Sequence, residues 1–274
     1  MESRMLHIFR NTPIGRESLL QSRYFCQTLG LNLCVYVPRM KKFLMYFEFE
    51  ALQVDLDASY LRDPESAASN VRAILGDMEA EIFESGDFSA TNLPDVPTDY
   101  EYMCCPRAIS DKQSMIGLGY IGSKVRKILR TAHFPILLPS GAFKEWKSVA
   151  VLYGGSENAA KAFRLGVKIA RAGNMPVDMF SHVKAGDRQA VLDALEEQGL
   201  DGLRREHVRD WLVFEGGEFC DHLFDVPHDA LVVLGAYGHG GIKGMMFGGT
   251  MEMVQSTLPN NLLVVGPEYA IHGA

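Results

Sequence analysis

The pattern Asp-Val-Pro-x-Asp followed by an apolar run occurs twice in this chain, as DVPTDYEYMCCP from Asp95 and as DVPHDALVVLGA from Asp225. A second pair comes after each of these. GSKVRKILRTAHFPILLPSG from Gly122 and GTMEMVQSTLPNNLLVVGP from Gly249 both read as glycine, hydroxyl residue, amphipathic helix, break, apolar strand and a Gly/Pro stop. A third pair opens the two copies, MLHIFRNTPIGRESLLQSRYFCQTLGLNLCVYVP from Met5 and SVAVLYGGSENAAKAFRLGVKIARAGNMPVDMFSHV from Ser148. Overlaid, Leu19, Leu20, Tyr24 and Cys26 of one helix fall on Ala162, Phe163, Val167 and Ile169 of the other. Internal similarity on this scale outranks composition as a constraint, because each copy must close a core of its own. The chain therefore reads as two domains, 1–140 and 146–274, bridged by PSGAFKEWK with its Pro-Ser-Gly turn.

Each copy alternates strands and helices, which predicts an α/β fold: an open, mostly parallel five-stranded sheet with helices on both faces, of Rossmann-like type. In the second copy the spacing predicts strands near 148–153, 177–183, 210–214, 230–235 and 261–265. Helices are expected near 157–172, 186–198, 216–224 and 250–258. The first copy inserts Arg39 to Pro64 after its second strand. The apolar run FLMYFEF from Phe43 in that insert is too short to cross a bilayer, and reads as lid, partner-binding patch or core.

The chain's 274 residues, 47% apolar and 22% charged, suit two ordinary soluble domains. A formal charge of −7 with no basic run argues against a nucleic-acid partner, and no apolar stretch approaches membrane length. Five cysteines without a C-x-x-C indicate a reducing, cytoplasmic setting. Cys26, Cys34, Cys104 and Cys105 lie in apolar patterns and read as buried thiols.

The densest cluster of chain-breaking residues is GAYGHGGIKGMMFGGT, from Gly235 to Thr250, with seven glycines in sixteen positions. It runs from the apolar strand LVVL into a helix. Glycine helps there only where backbone takes unusual angles or meets something closely. A loop at the carboxyl end of a parallel strand, opening a helix, suits a phosphate. GLGYIGS holds a second glycine pattern, Gly117, Gly119 and Gly122. It lacks the preceding strand and the later acid of a dinucleotide fingerprint, and reads as a helix-start turn.

With these residues the chain resembles the universal stress proteins. Their nucleotide-binding members carry G-x2-G-x9-G-(S/T), matched here by Gly235, Gly238 and Gly248, with Gly249 at the hydroxyl position and Thr250 one later. VLYGGSENAAKA is similar to the family's first strand and turn, with Gly154 where an aspartate is usual. The resemblance implies an adenine nucleotide (ATP, ADP or AMP), with or without magnesium, in the second copy. Tyr153, Gly154 and the backbone of Val183 would meet base and ribose. Gly235, Gly238, His239, Gly248, Gly249 and Thr250 would meet ribose and phosphates, with Lys243 a candidate phosphate partner. It also implies pairing of the last strands, FPILL with NNLLVV, as a built-in pseudo-dimer that could dimerise again. The first copy has Asn11 at the aspartate position and only Gly122–Ser123 of the phosphate loop, so no nucleotide is expected there.

No nucleophile–base pair, paired carboxylates or metal-ligand spacing accompanies the glycine loop, so no catalytic residue and no metal site is expected. ATP hydrolysis would be slow at most. Asp95 and Asp225 read as turn or cap residues. His182 reads as mainly structural. The alternative function is a non-nucleotide interaction module, or a binder of another small ligand through the insert 39–64.

Overall fold

The structure is a computed structural model that describes residues 3–48, 50–84, 93–107, 121–237 and 250–270. The chain divides into two compact units, Met1–Lys144 and Glu145–Ala274.

The first unit begins with β1 (Arg4–Ile8), α1 (Pro13–Leu29) and β2 (Asn32–Val37). The helix starts where it does because Thr12 accepts a hydrogen bond from the Gly15 amide at 3.1 Å while Pro13 presets the first turn. It stops at Gly30, whose φ of 64° is left-handed. Next come β3 (Lys42–Tyr46), β4 (Ala51–Asp55), a 3₁₀ turn (Ala58–Leu61), α2 (Pro64–Leu75) and β5 (Ala80–Glu84). β6 (Asp95–Val96), β7 (Tyr102–Cys104), α3 (Ser123–Thr131) and β8 (Ile136–Leu138) complete it. Its main sheet has the order β8-β7-β1-β2-β5, with every pairing parallel.

The insert is a small sheet of its own. β3 and β4 form an antiparallel hairpin, and β6 adds in parallel to β3. Phe43, Met45, Leu52 and Val54 are buried on one face, while Tyr46 beside them is 53% exposed. That period of two is what a half-buried hairpin needs. Phe43 meets Tyr36 edge-on at 5.4 Å, and Phe47 lies 6.1 Å from Phe134, so this apolar run serves its own unit's core. Asp95 departs from expectation: it stands in β6 opposite Leu44 rather than in a turn. A strand contact drew it in, because the sheet edge offered by β3 satisfies backbone groups a turn would leave to water.

The first unit's core also holds polar groups. His7 on β1 is 2% exposed and bonds the Ser22 hydroxyl of α1 through Nδ1 at 2.8 Å. Burial lowers its pKa from 6.5 to about 3, so the ring is neutral in the fold. Cys26, Cys34, Cys104 and Cys105 are buried free thiols.

The second unit runs β9 (Ser148–Leu152), α4 (Glu157–Ala172), β10 (Val177–Val183), α5 (Arg188–Glu197), α6 (Asp201–His207) and β11 (Val208–Glu215). Then come α7 (Phe219–His222), a 3₁₀ turn (Leu223–Asp225), β12 (Ala230–Gly235), α8 (Thr250–Thr257) and β13 (Leu262–Val265). Its parallel order is β11-β10-β9-β12-β13, the same arrangement as in the first unit when each is counted from its own first strand.

β9 is buried throughout, as a central parallel strand covered on both faces must be. Two features differ from expectation. α6 is an extra helix after α5. The helix expected over 216–224 is only Phe219–His222, extended by the 3₁₀ turn. Gly216 and Gly217, at φ 73° and 76°, hold left-handed backbone that no right-handed helix admits.

Candidate functional site

In a sheet of this order the ligand crevice lies beyond the carboxyl ends of the strands, beside the first strand. In the second unit a cavity of about 180 Å³ opens there. Gly154 and Gly155, just past β9, form one wall. Val183 and Lys184, at and past the end of β10, form the next. Asp187, Ala190, Val191 and Ala194 of the following turn and α5 complete the lining. Gly, Ala and Val make most of that surface, with one amine and one carboxylate at its polar side. The volume exceeds the ~150 Å³ that admits benzene and falls short of the roughly 300–1,000 Å³ of sites that hold a drug-sized ligand whole. It fits one heterocyclic ring, with anything attached to the ring lying outside.

The walls are held by hydrogen bonds. The Tyr153 hydroxyl donates to Gln198 Oε1 at 2.8 Å, and Gln198 Nε2 donates to the Gly155 carbonyl at 2.8 Å. Arg164 of α4 reaches the Gln198 carbonyl, also at 2.8 Å. The turn after β9 is thereby fastened to the end of α5. Gly155 itself has φ 78°, and a Cβ there would stand 3.3 Å from Ala194, so any side chain would narrow the cavity. On the other side, Ser181 donates to the Tyr153 carbonyl at 2.8 Å, and Val183's carbonyl accepts from Gly216 at 2.8 Å.

Of the residues expected at the site, Gly154 and Val183 do come together on one cavity. Val183 contributes a buried side chain, and its carbonyl is already engaged. Tyr153 is elsewhere: its ring is fully buried beside Phe163 of α4, and burial pushes its hydroxyl up to about 12, while that hydroxyl holds Gln198; it positions the wall and is not part of the cavity lining. Gly235 ends β12 opposite Val265. A Cβ there would lie 2.4 Å from the carbonyl carbon of Asn158, and Asn158 donates to the Ala236 carbonyl at 2.6 Å. This glycine lets the first turn of α4 lie against the strand, a packing reason that stands beside any ligand one. Thr250 begins α8. Gly238, His239, Lys243, Gly248 and Gly249 lie outside the described residues. His182, at the end of β10, directs Nε2 to the Gly216 and Gly217 carbonyls, each at 3.3 Å, a structural contact.

The α5 side of the cavity was not expected from sequence. Its one signal was Ala190 and Ala194, small residues one helical turn apart on a helix that otherwise carries large side chains. Among the described residues no three His, Cys, Asp or Glu side chains gather as a metal-ligand set, and no helix is long and apolar enough to cross a membrane.

No protein-family model matches the chain, and no curated relative does. Solved structures do. A universal stress protein from Archaeoglobus fulgidus superposes with a TM-score of 0.63 at 16% identity, covering 96% of this chain and 98% of its own. A putative universal stress protein from Pseudomonas aeruginosa gives 0.60 at 14% identity, covering 97% and 94%. The cytoplasmic domain of a prokaryotic cation chloride cotransporter gives 0.52 at 9% identity, covering 96% and 95%. At these identities the likeness speaks for fold, and with the parallel order found in both units it is decisive there: the chain has the universal stress protein fold over nearly its whole length.

Proposed function

We propose that this chain is a stress-type binding or regulatory protein that holds an adenine nucleotide in its second unit. The observation that carries the reading is the ring-sized cavity walled by Gly154, Gly155, Val183, Ala190, Val191 and Ala194 at the carboxyl ends of β9 and β10. A heterocyclic base would lie between the glycine turn and α5. Asp187 stands at the polar side as an acceptor for base or ribose donors, in a unit where Gly154 supplies no carboxylate of its own. Sugar and phosphates would extend towards the glycine-rich stretch after Gly235, whose amides and Thr250 would supply anion contacts. A bound nucleotide brings its own phosphate chemistry. The cavity residues bind and orient it, and none is placed as general base, so holding rather than turnover is the expected role.

Isothermal titration with ATP, ADP and AMP tests this. Saturable binding to the parent chain that Ala194→Phe removes supports the reading. No heat and no thermal shift at millimolar nucleotide ends it.

A further inference from the structure

β11 is eight residues long and stands at the end of the second unit's sheet, pairing with β10 and with no other strand among the described residues. An edge strand carries a row of backbone N–H and C=O groups without ladder partners, and proteins protect such edges with charge, proline or a short run. β5, at the end of the first unit's sheet, follows that rule: it is five residues long, and Glu81 and Glu84 flank Ile82 and Phe83. β11 does not. Trp211, Leu212, Val213 and Phe214 run unbroken along it, all four half-buried, whereas the central strand β9 is buried throughout. Its charged residues stand at the two ends, Arg209 and Asp210 before the run and Glu215 after it.

The register with β10 fixes which side chains share a face. Trp211 lies opposite Met179 and Val213 opposite Ser181, and the Trp211 indole donates to the Ser181 hydroxyl at 3.0 Å. Alternation then puts Arg209, Trp211, Val213 and Glu215 on one face, in the order cation, aromatic, aliphatic, anion. Both charged side chains are anchored and still accessible. Arg209 donates twice to the buried Asp178, at 3.0 and 2.6 Å, with 54% of its side chain exposed. Glu215 accepts from the Gly186 amide at 3.4 Å and lies 3.8 Å from Arg188, with 38% of its side chain exposed.

That order is self-complementary. When two copies of β11 pair antiparallel about a two-fold axis normal to the sheet, opposed residues share a face, so the axis falls between one residue and its own counterpart. With the axis at Leu212, Arg209 of each copy faces Glu215 of the other, and Trp211 faces Val213. Opposite charges and aromatic–β-branched pairs are the combinations that favour directly opposed positions. With the axis at Trp211, Arg209 would meet Val213; at Val213, Glu215 would meet Trp211. Neither of those registers gives the charges a partner.

We propose that the outer edge of β11 is the surface on which a second copy of this chain docks, by antiparallel pairing centred on Leu212. Eight residues a side is well under the roughly 20–30 of a standard interface, so the dimer is a weak one with a Kd on the order of micromolar. No residue of β11 lines the cavity at Gly154 and Ala194, and the pairing stands whether or not that cavity binds a nucleotide.

Sedimentation equilibrium of the whole chain from about 1 to 100 µM tests this. The parent is expected to pass from monomer to dimer across that range. Leu212→Lys sets two ammonium groups face to face on the axis and is expected to raise Kd at least about 100-fold. Glu215→Arg sets arginines against each other at both ends and is expected to raise it at least about tenfold. The register has its own readout. In a Cys220→Ser background the other four cysteines are buried. Mild oxidation with copper phenanthroline is then expected to join Leu212→Cys chains by a disulfide, because opposed Cα atoms lie about 4.5–5.5 Å apart. Val213→Cys chains stay unjoined, their diagonal separation of about 7–8 Å being too long. A parent that stays monomeric over the whole range overturns the proposal. So does a dimer whose Kd either charge substitution leaves unchanged, or one in which Val213→Cys joins as readily as Leu212→Cys. Should Leu212→Lys fail to fold, as circular dichroism would show, the Glu215→Arg and cysteine results decide alone.

Discussion

The two units share a strand order and differ in the residues just past their first strand. After β9 come Tyr153, Gly154 and Gly155. The tyrosine turns inward to Gln198 and the two glycines leave a ring-sized space. Shortly after β1 come Arg10, Asn11 and Thr12, and the first two of these reach out to hold an intruding turn. The crossovers differ to match. The second unit passes from β10 to α5 through the short turn Lys184–Asp187, while the first inserts a hairpin and a 3₁₀ turn before α2. The open cavity of the second unit lies past the ends of β9 and β10, while in the first unit the corresponding connection is longer and is tied to the end of β1 by Arg10 and Asn11; a shared fold does not by itself carry a shared function.

Four measurements bear on this contrast. At neutral pH the largest effect is expected from Gly235→Ala. A methyl 2.4 Å from the Asn158 backbone forces α4 away from β12. Overpacking of this kind costs about 3 kcal/mol, read as a lower urea midpoint. An unchanged midpoint would show that the second unit yields where its packing says it cannot. Next comes Ala194→Phe, which fills the open cavity. Nucleotide affinity is expected to fall at least about 100-fold, or ~2.7 kcal/mol, with little change in stability because Ala194 borders empty space.

The third concerns acid and belongs to the first unit. His7 is neutral in the fold with its pKa lowered to about 3, whereas the unfolded chain takes up that proton near 6.5. The unfolded state therefore binds more protons as pH falls, and stability declines from about pH 6.5 towards 3. This one ring contributes up to ~1.4 kcal/mol per pH unit. His7→Asn removes that slope and leaves the curve parallel to the parent above pH 6.5, as denaturation at several pH values would show. The smallest effect is that of Tyr60→Phe. Tyr60, in the 3₁₀ turn before α2, has a buried hydroxyl with no partner among the described residues, and removing it should leave stability unchanged or raise it by up to ~1 kcal/mol. A clear loss would mean that the phenol is satisfied after all.

Much of the architecture was legible in the residues themselves. Strand–helix alternation reported parallel sheets, and the parallel order is what both units show. Strands such as β9 and β12 stood out because parallel strands buried on both faces read as nearly unbroken apolar runs. The site was legible in part. Gly154 and Val183 could be placed at a cavity because strand ends are predictable from such runs. Tyr153 could not, because nothing in its neighbourhood in sequence announces Gln198. The shortened α7 and the strand at Asp95 were missed for a related reason. Gly216 and Gly217 fit a loop or a helix start equally well until their dihedrals are known, and a two-residue strand has no period to detect.

From sequence alone came the features that depend on neighbours a few positions apart: periodicity, turn chemistry and helix starts. The tertiary structure alone decided how the second unit's cavity is walled. That depends on residues far apart in the chain meeting at one point, Gly155 against Ala194 and Gln198. Local propensities carry no information about such meetings, because they are settled by how whole elements pack once the sheets have formed.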